Sequence, residues 1–339
     1  MLEKPDIQDE LIAACLHDEY GLSVAELTFL PLGLDEDSVV YRVVAGDEPP
    51  YFLKLRRGRF DEINVAFPKL LADQGVAHVM APLAAKTGQL WSRLGDFNTI
   101  LYPYVEGKDG YAVALSDQAW VDFGRVLKTV HTAAVPPTLA PYFPREEYSA
   151  QARESVKSFI AHLGEYADGD LVAAQLAGFL NLKREEILDL VGRCERLAQA
   201  LQAQCPEFTV CHSDLHAGNL LIDADGKFYI VDWDELIMAP KERDLMFIGG
   251  GQMGGWRTLQ EEALLFYQGY GQTAVDTTAL AYYRYERIIQ DIAAFSEQIF
   301  LTEEGGEDRE QALVYLKSVF LPGGVLKIAY ISDRTLIEG

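Results

Sequence analysis

The apolar pattern of this chain changes period near residue 107, and that change limits what it can fold into. Before it come short runs rich in β-branched and aromatic residues: Thr28 to Leu32, Val39 to Val44, Tyr51 to Leu55 and Thr99 to Tyr102. Gly33, Gly46-Asp47, Pro49-Pro50 and Gly88 separate these runs, which therefore read as strands of a small antiparallel sheet. A helix with Leu11, Ala14, Cys15 and Leu16 precedes the sheet, and another from Ile63 to Leu71 interrupts it, where Pro68 is expected to kink or shorten it. Beyond Gly107 the spacing is helical: Ser116 to His131, with Ser116 and Gln118 read as a capping box, then Arg145 to Leu163, Lys183 to Gln204, Leu259 to Tyr270 and Thr277 to Phe300. Strand signals return around Thr209 to Cys211, Leu220 to Ile222 and Phe228 to Val231, with Asp223-Ala224-Asp225-Gly226 as a turn. The expectation is an α+β protein with an N-terminal sheet lobe over 1–102, a hinge at 103–107 and a mainly helical lobe over 108–339.

With 339 residues, 49% of them apolar, the chain has material for two lobes, and it shows no internal repeat. Its apolar stretches are broken by charges too early to span a bilayer, and the first residues lack a basic-then-apolar leader, so a cytoplasmic protein is expected. Cys15, Cys194, Cys205 and Cys211 have no metal-site spacing and suit free thiols. Cys211 ends an apolar strand and reads as a small buried core residue. A net charge of −23, from 29 basic and 52 acidic side chains, argues against nucleic-acid or anionic-membrane partners and weakly favours cationic small molecules.

The chemistry concentrates between Cys211 and Asp234, where His212-Ser213-Asp214-Leu215-His216-Ala217-Gly218-Asn219 is followed by Val231-Asp232-Trp233-Asp234. Phosphoryl transfer needs a carboxylate at the acceptor hydroxyl and oxygen ligands for the magnesium carried by ATP. Asp214 suits the first task, and Asn219 and Asp232 suit the second. Lys54 lies within an apolar strand, where an unpaired ammonium is costly, so it requires an anion. His216 can donate to a phosphate or a neighbouring acid, or pack. Asp234 and Glu235 read as solvated acids.

The pattern His212-x-Asp214-x-x-x-x-Asn219 followed by Val231-Asp232 resembles the catalytic core of the aminoglycoside phosphotransferases and their choline-kinase-type relatives. That resemblance implies a protein-kinase-like fold with Asp214 as catalytic base and Asn219 and Asp232 as magnesium ligands. It further implies that Lys54 contacts the α/β-phosphates of ATP and is held by an acid of the following helix, Glu62 or its competitor Asp61. It places adenine against the Pro103 carbonyl and the Val105 amide, makes His212 a structural residue of the loop, and gives Asp244 the support of that loop's backbone. Between the first strands, Leu32-Gly33-Leu34-Asp35-Glu36-Asp37-Ser38 departs from the glycine-rich kinase pattern, leaving Ser38 or backbone amides for the phosphates. GTP in place of ATP is not decided by these residues.

Two stretches, Val231 to Gly251 and Tyr282 to Ile292, together with Tyr51 to Leu55 and Asp61 to Asn64, are similar to the spectinomycin phosphotransferases in particular. The implied acceptor is a cationic aminocyclitol antibiotic, with resistance as the outcome. In Tyr282 to Asp291, residues Tyr283, Glu286, Arg287 and Gln290 share one helical face. Glu286 and Asp291 are thus candidates for pairing with substrate amines, or for an ion pair inside the protein. The alternatives are a kinase of a metabolite such as choline, homoserine or methylthioribose, and a non-catalytic kinase-like binding module.

Overall fold

In a computed structural model of the chain, the described residues are 4, 7–33, 37–46, 49–58, 60–302 and 306–334. Leu34, Asp35 and Glu36 of the acidic loop, and Asp47 of a predicted turn, lie outside them. The chain packs as two units: Met1–Phe143 with Asp214–Leu236, and Pro144–Ser213 with Ile237–Gly339. Residues 108–143 and 214–236, expected with the helical half, therefore pack with the sheet.

The first unit begins with α1 (Asp9–Tyr20), β1 (Val24–Leu30), β2 (Ser38–Ala45), β3 (Tyr51–Arg56), α2 (Ile63–Asp73), β4 (Ser92–Leu94) and β5 (Phe97–Pro103). The strands form an antiparallel sheet in the order β1-β2-β3-β5-β4. Strand alternation sends Leu53 and Leu55 into the core with Ile12, Leu16, Val39, Tyr41, Val43 and Leu101. Lys54 and Arg56, one residue out of phase, share the opposite face. α2 runs through Pro68 to Asp73, so the proline does not shorten it. Proline removes one internal hydrogen bond, while the burial of Ile63, Val65, Phe67 and Leu71 holds the helix together.

β6 (Gly107–Asp109) and α3 (Asp117–Thr132) follow. Ser116 caps α3 by accepting from the Ala119 amide at 3.1 Å, but no capping box forms. The third helical position is Ala119, and Gln118 bonds Asp122 instead.

The second unit carries α4 (Gln151–Ala161), α5 (Leu163–Tyr166), α6 (Leu171–Leu182), α7 (Arg184–Gln204) and β7 (Thr209–Cys211). The chain then returns to the first unit for β8 (Leu220–Asp223) and β9 (Phe228–Ile230), which complete a β6-β8-β9 sheet. The second unit ends with β10 (Ile237–Ala239), α8 (Glu242–Leu245), α9 (Leu259–Tyr270), α10 (Thr277–Phe300), α11 (Gly306–Val319) and α12 (Val325–Arg334), and β10 pairs with β7. The helix expected from Arg145 starts only at Gln151. Glu146 is drawn out as extended chain by bonding the Met238 carbonyl, and Tyr148 takes a left-handed φ of 55°. No helix among the described residues is long and apolar enough to cross a membrane.

Candidate active site

The first unit brings Lys54, Asp214, Asn219 and Asp232 to one region. A short 3₁₀ turn, Ala217–Asn219, leads into β8, and the chain returns along β9 to Asp232. The two ends are tied where the Val231 amide donates to the Asn219 carbonyl at 3.1 Å. β9 is fixed further as the Ile230 amide donates to His78 O at 2.7 Å and the Met80 amide to Ile230 O at 3.1 Å.

Asn219 Nδ2 donates to the Asp214 backbone carbonyl at 2.8 Å and to its carboxylate Oδ2 at 3.0 Å. The amide nitrogen is thereby committed to Asp214, which leaves Asn219 Oδ1 as the atom that could serve a hard cation. Asp232 has a left-handed φ of 59°, a conformation that a non-glycine residue holds only where its surroundings impose it. Its side chain keeps 45% exposure, so a carboxylate oxygen is accessible. A carboxamide and an accessible carboxylate suit Mg²⁺, which binds few protein oxygens and retains waters.

Lys54 is buried and donates from Nζ to Asp232 Oδ1 at 2.7 Å and Asp234 Oδ2 at 2.8 Å. Burial pulls its ammonium toward neutrality, but the two carboxylates outweigh it and hold the charged form well above the ordinary lysine range. Glu62, the acid expected to hold Lys54, is instead exposed at the cap position preceding α2. The anchor comes from the loop after β9, where Asp234 is only 12% exposed. Asp234 Oδ2 also accepts from Arg56 Nη1 at 2.5 Å, and its backbone carbonyl accepts from Asn64 Nδ2 at 2.7 Å. α2 thus contributes Asn64, an amide, where an acid was expected. Asp234, Arg56 and Asn64 were missed because their roles depend on burial. Two signals were present: an acid two residues after Asp232, and a cation two residues after Lys54 on the same strand face.

Ser38 opens β2 opposite Arg56. Pro103 closes β5 opposite Tyr51, and the Tyr104 amide donates to Pro50 O at 3.1 Å. The Val105 amide finds no protein acceptor among the described residues.

In the second unit, the residues just before Asp214 are held from behind. Asp244 is fully buried within α8 and accepts the His212 amide on Oδ2 at 3.0 Å and the Ser213 amide on Oδ1 at 2.7 Å. It lies inside α8, whose N-cap is Lys241. Two charge-assisted bonds to adjacent amides fix the left-handed φ of 76° at Ser213. Arg243 Nε donates to Ser213 Oγ at 2.8 Å and Nη1 to Glu146 Oε2 at 2.7 Å, adding a second brace. His212 is fully buried, and burial pushes the Cys211 thiol well up, which leaves it inert as a nucleophile.

Glu286 and Asp291 do not stand open as amine ligands. Glu286 is buried on α10, where its Oε2 accepts from Arg153 Nη1 at 2.5 Å and Cys194 Sγ at 3.1 Å. Burial raises its pKa and Arg153 opposes the rise, so a substrate amine would have to displace a buried guanidinium. Asp291 pairs with Arg287 one turn away at 3.1 Å.

Comparison with known proteins bears on the family and the fold. Residues 28–281 match the phosphotransferase enzyme family, APH. The structure of spectinomycin phosphotransferase APH(9)-Ia in complex with ADP and spectinomycin superposes with a TM-score of 0.89 at 34% identity, covering 97% of this chain and 99% of that one. Choline kinase LicA from Streptococcus pneumoniae shares the fold at a TM-score of 0.54 and 17% identity, over 91% of this chain and 99% of its own. Protein StrN of Streptomyces griseus is 30% identical over 230 residues, which are 64% of this chain and 67% of StrN. The chain belongs to the APH phosphotransferase enzyme family, with a protein-kinase-like fold, and is a small-molecule phosphotransferase.

Proposed function

We propose that the protein is an ATP- and magnesium-dependent O-phosphotransferase acting on spectinomycin or a closely related aminocyclitol. The observation that carries this reading is the near full-length likeness to spectinomycin phosphotransferase, at 34% identity and a TM-score of 0.89. The likeness to choline kinase, at 17% identity, speaks for the fold alone.

Asp214 accepts the proton of the acceptor hydroxyl as that oxygen bonds to the γ-phosphorus, and ADP departs with the electrons of the broken β–γ bridge. Lys54 orients the non-transferred phosphates. The Pro103 carbonyl and Val105 amide receive the adenine edge, and Ser38 lies at the start of β2 as a further nucleotide contact. Asn219 and Asp232 would hold Mg²⁺, which when bound neutralises charge on the phosphates. An acidic chain, −23 overall, draws a cationic antibiotic toward it.

The test is ADP release from ATP and magnesium across a panel of spectinomycin, other aminoglycosides, choline and homoserine. Spectinomycin-dependent release is expected, with Asp214→Asn lowering turnover by roughly 10²–10⁴ while ATP affinity changes little. Release with choline or homoserine but not spectinomycin would overturn the acceptor assignment.

A further inference from the structure

We propose that His216 is a positioning residue that orients the carboxylate of Asp214 through a fixed imidazole tautomer; this rests on the reading of Asp214 as the base. His216 precedes the 3₁₀ turn Ala217–Asn219, and its Nδ1 accepts the Gly218 amide at 3.0 Å. An imidazole nitrogen that accepts an N–H bond carries a lone pair, so in the neutral ring the proton sits on Nε2. Nε2 lies 3.5 Å from Asp214 Oδ2, the oxygen that also receives Asn219 Nδ2 at 3.0 Å. One amide bond on the far nitrogen therefore decides what the near nitrogen offers the base.

The ring has little freedom to turn. On one side Gly218 sits so close that a Cβ there would come within 2.6 Å of His216 Cε1. The Tyr111 ring stacks on the imidazole at 6.0 Å and 26°. Tyr111 is itself held, as its amide donates to Asp109 Oδ1 at 3.0 Å and the neighbouring Gly110 amide to Ala217 O at 2.8 Å. His216 Nε2 at 3.5 Å and the donating Asn219 Nδ2 at 3.0 Å, on residues three apart, face the same carboxylate oxygen, and together they would set the plane of the group. A base must meet the hydroxyl proton at a defined distance and angle, so a carboxylate free to rotate loses rate without losing nucleotide affinity.

Two substitutions separate the two nitrogens. His216→Asn retains an acceptor at the Nδ1 position for the Gly218 amide but is too short to reach Asp214. His216→Gln places an N–H donor near the Nε2 position. With whichever acceptor supports turnover, His216→Asn is expected to keep the wild-type Tm and the KM for ATP within about twofold, and to lower kcat by about 10- to 10²-fold. His216→Gln is expected to regain much of the lost kcat. Wild-type kcat in His216→Asn, or equal loss in both variants with a raised KM for ATP, overturns the inference. Asp214→Asn is measured beside them: if it remains active, the base reading itself fails. If it is inactive while His216→Asn is unimpaired, only the positioning role fails.

Discussion

Glu262→Gln should change how stability depends on pH, because Glu262 is an acid folded into a site that disfavours its charge. It lies on α9 with 1% exposure, and its Oε2 accepts the Gly249 amide at 3.2 Å. Among the described residues no basic side chain pairs with it. Burial raises its pKa to about 7, against a partial opposing effect of the Gly249 bond. The folded state therefore holds the proton more tightly than the unfolded one. The resulting stabilisation is full below the ordinary glutamate pKa and is lost as pH rises through about 7. Between roughly pH 5.5 and pH 8.5, a shift of this size withdraws about 2 kcal/mol of unfolding free energy. Glutamine keeps an acceptor for the Gly249 amide and has no charge to develop. Urea denaturation at both pH values should show the variant gaining about 2 kcal/mol relative to wild type at the higher pH. An offset between variant and wild type that stays constant with pH would refute the account of Glu262 as a buried, uncompensated acid.

Asp234→Ala should cost about 2 kcal/mol in chemical denaturation, less than a fully broken buried pair because Lys54 keeps Asp232. Asp232→Ala, at a half-exposed side chain, should cost about 1 kcal/mol or less while abolishing turnover; equal stability losses would contradict the division of labour between the two acids. Gly107→Ala should destabilise by about 1–3 kcal/mol, seen as a lowered Tm, because a Cβ at residue 107 would meet the Ile222 carbonyl at 2.4 Å in the β6–β8 pairing.

Elements with local punctuation were legible in the sequence. α9 and α10 run over the predicted Leu259 to Tyr270 and Thr277 to Phe300, because Thr258 with Glu261 and then Asp276 cap their starts. The stretch after Arg145 was not legible as extended chain, since its conformation is set by Met238, over ninety residues later, and by the left-handed Tyr148. At the site, the placing of Asn219 beside Asp214 follows the motif's five-residue spacing, whereas Lys54 meets Asp232 only through the fold. Its anchor was misjudged: Glu62 is eight residues from Lys54 in sequence, whereas Asp234 is 180 residues away and becomes a neighbour only through the fold. Glu286 shared a helical face with polar neighbours, but periodicity cannot distinguish an accessible face from one covered by Arg153.

The first unit is discontinuous, broken between Phe143 and Asp214, and this bears on the order in which the protein can be completed during synthesis. Chains emerge N-terminus first and fold as segments become available. The main sheet, β1 to β5, leaves the ribosome early, but β8 and β9 follow only after the whole of α4 to α7 has been made. Until Asp232 and Asp234 arrive, the nascent sheet holds Lys54 without either carboxylate. A fragment ending at Phe143 would share that defect permanently, so neither unit corresponds to a contiguous piece of the gene that could be expressed alone.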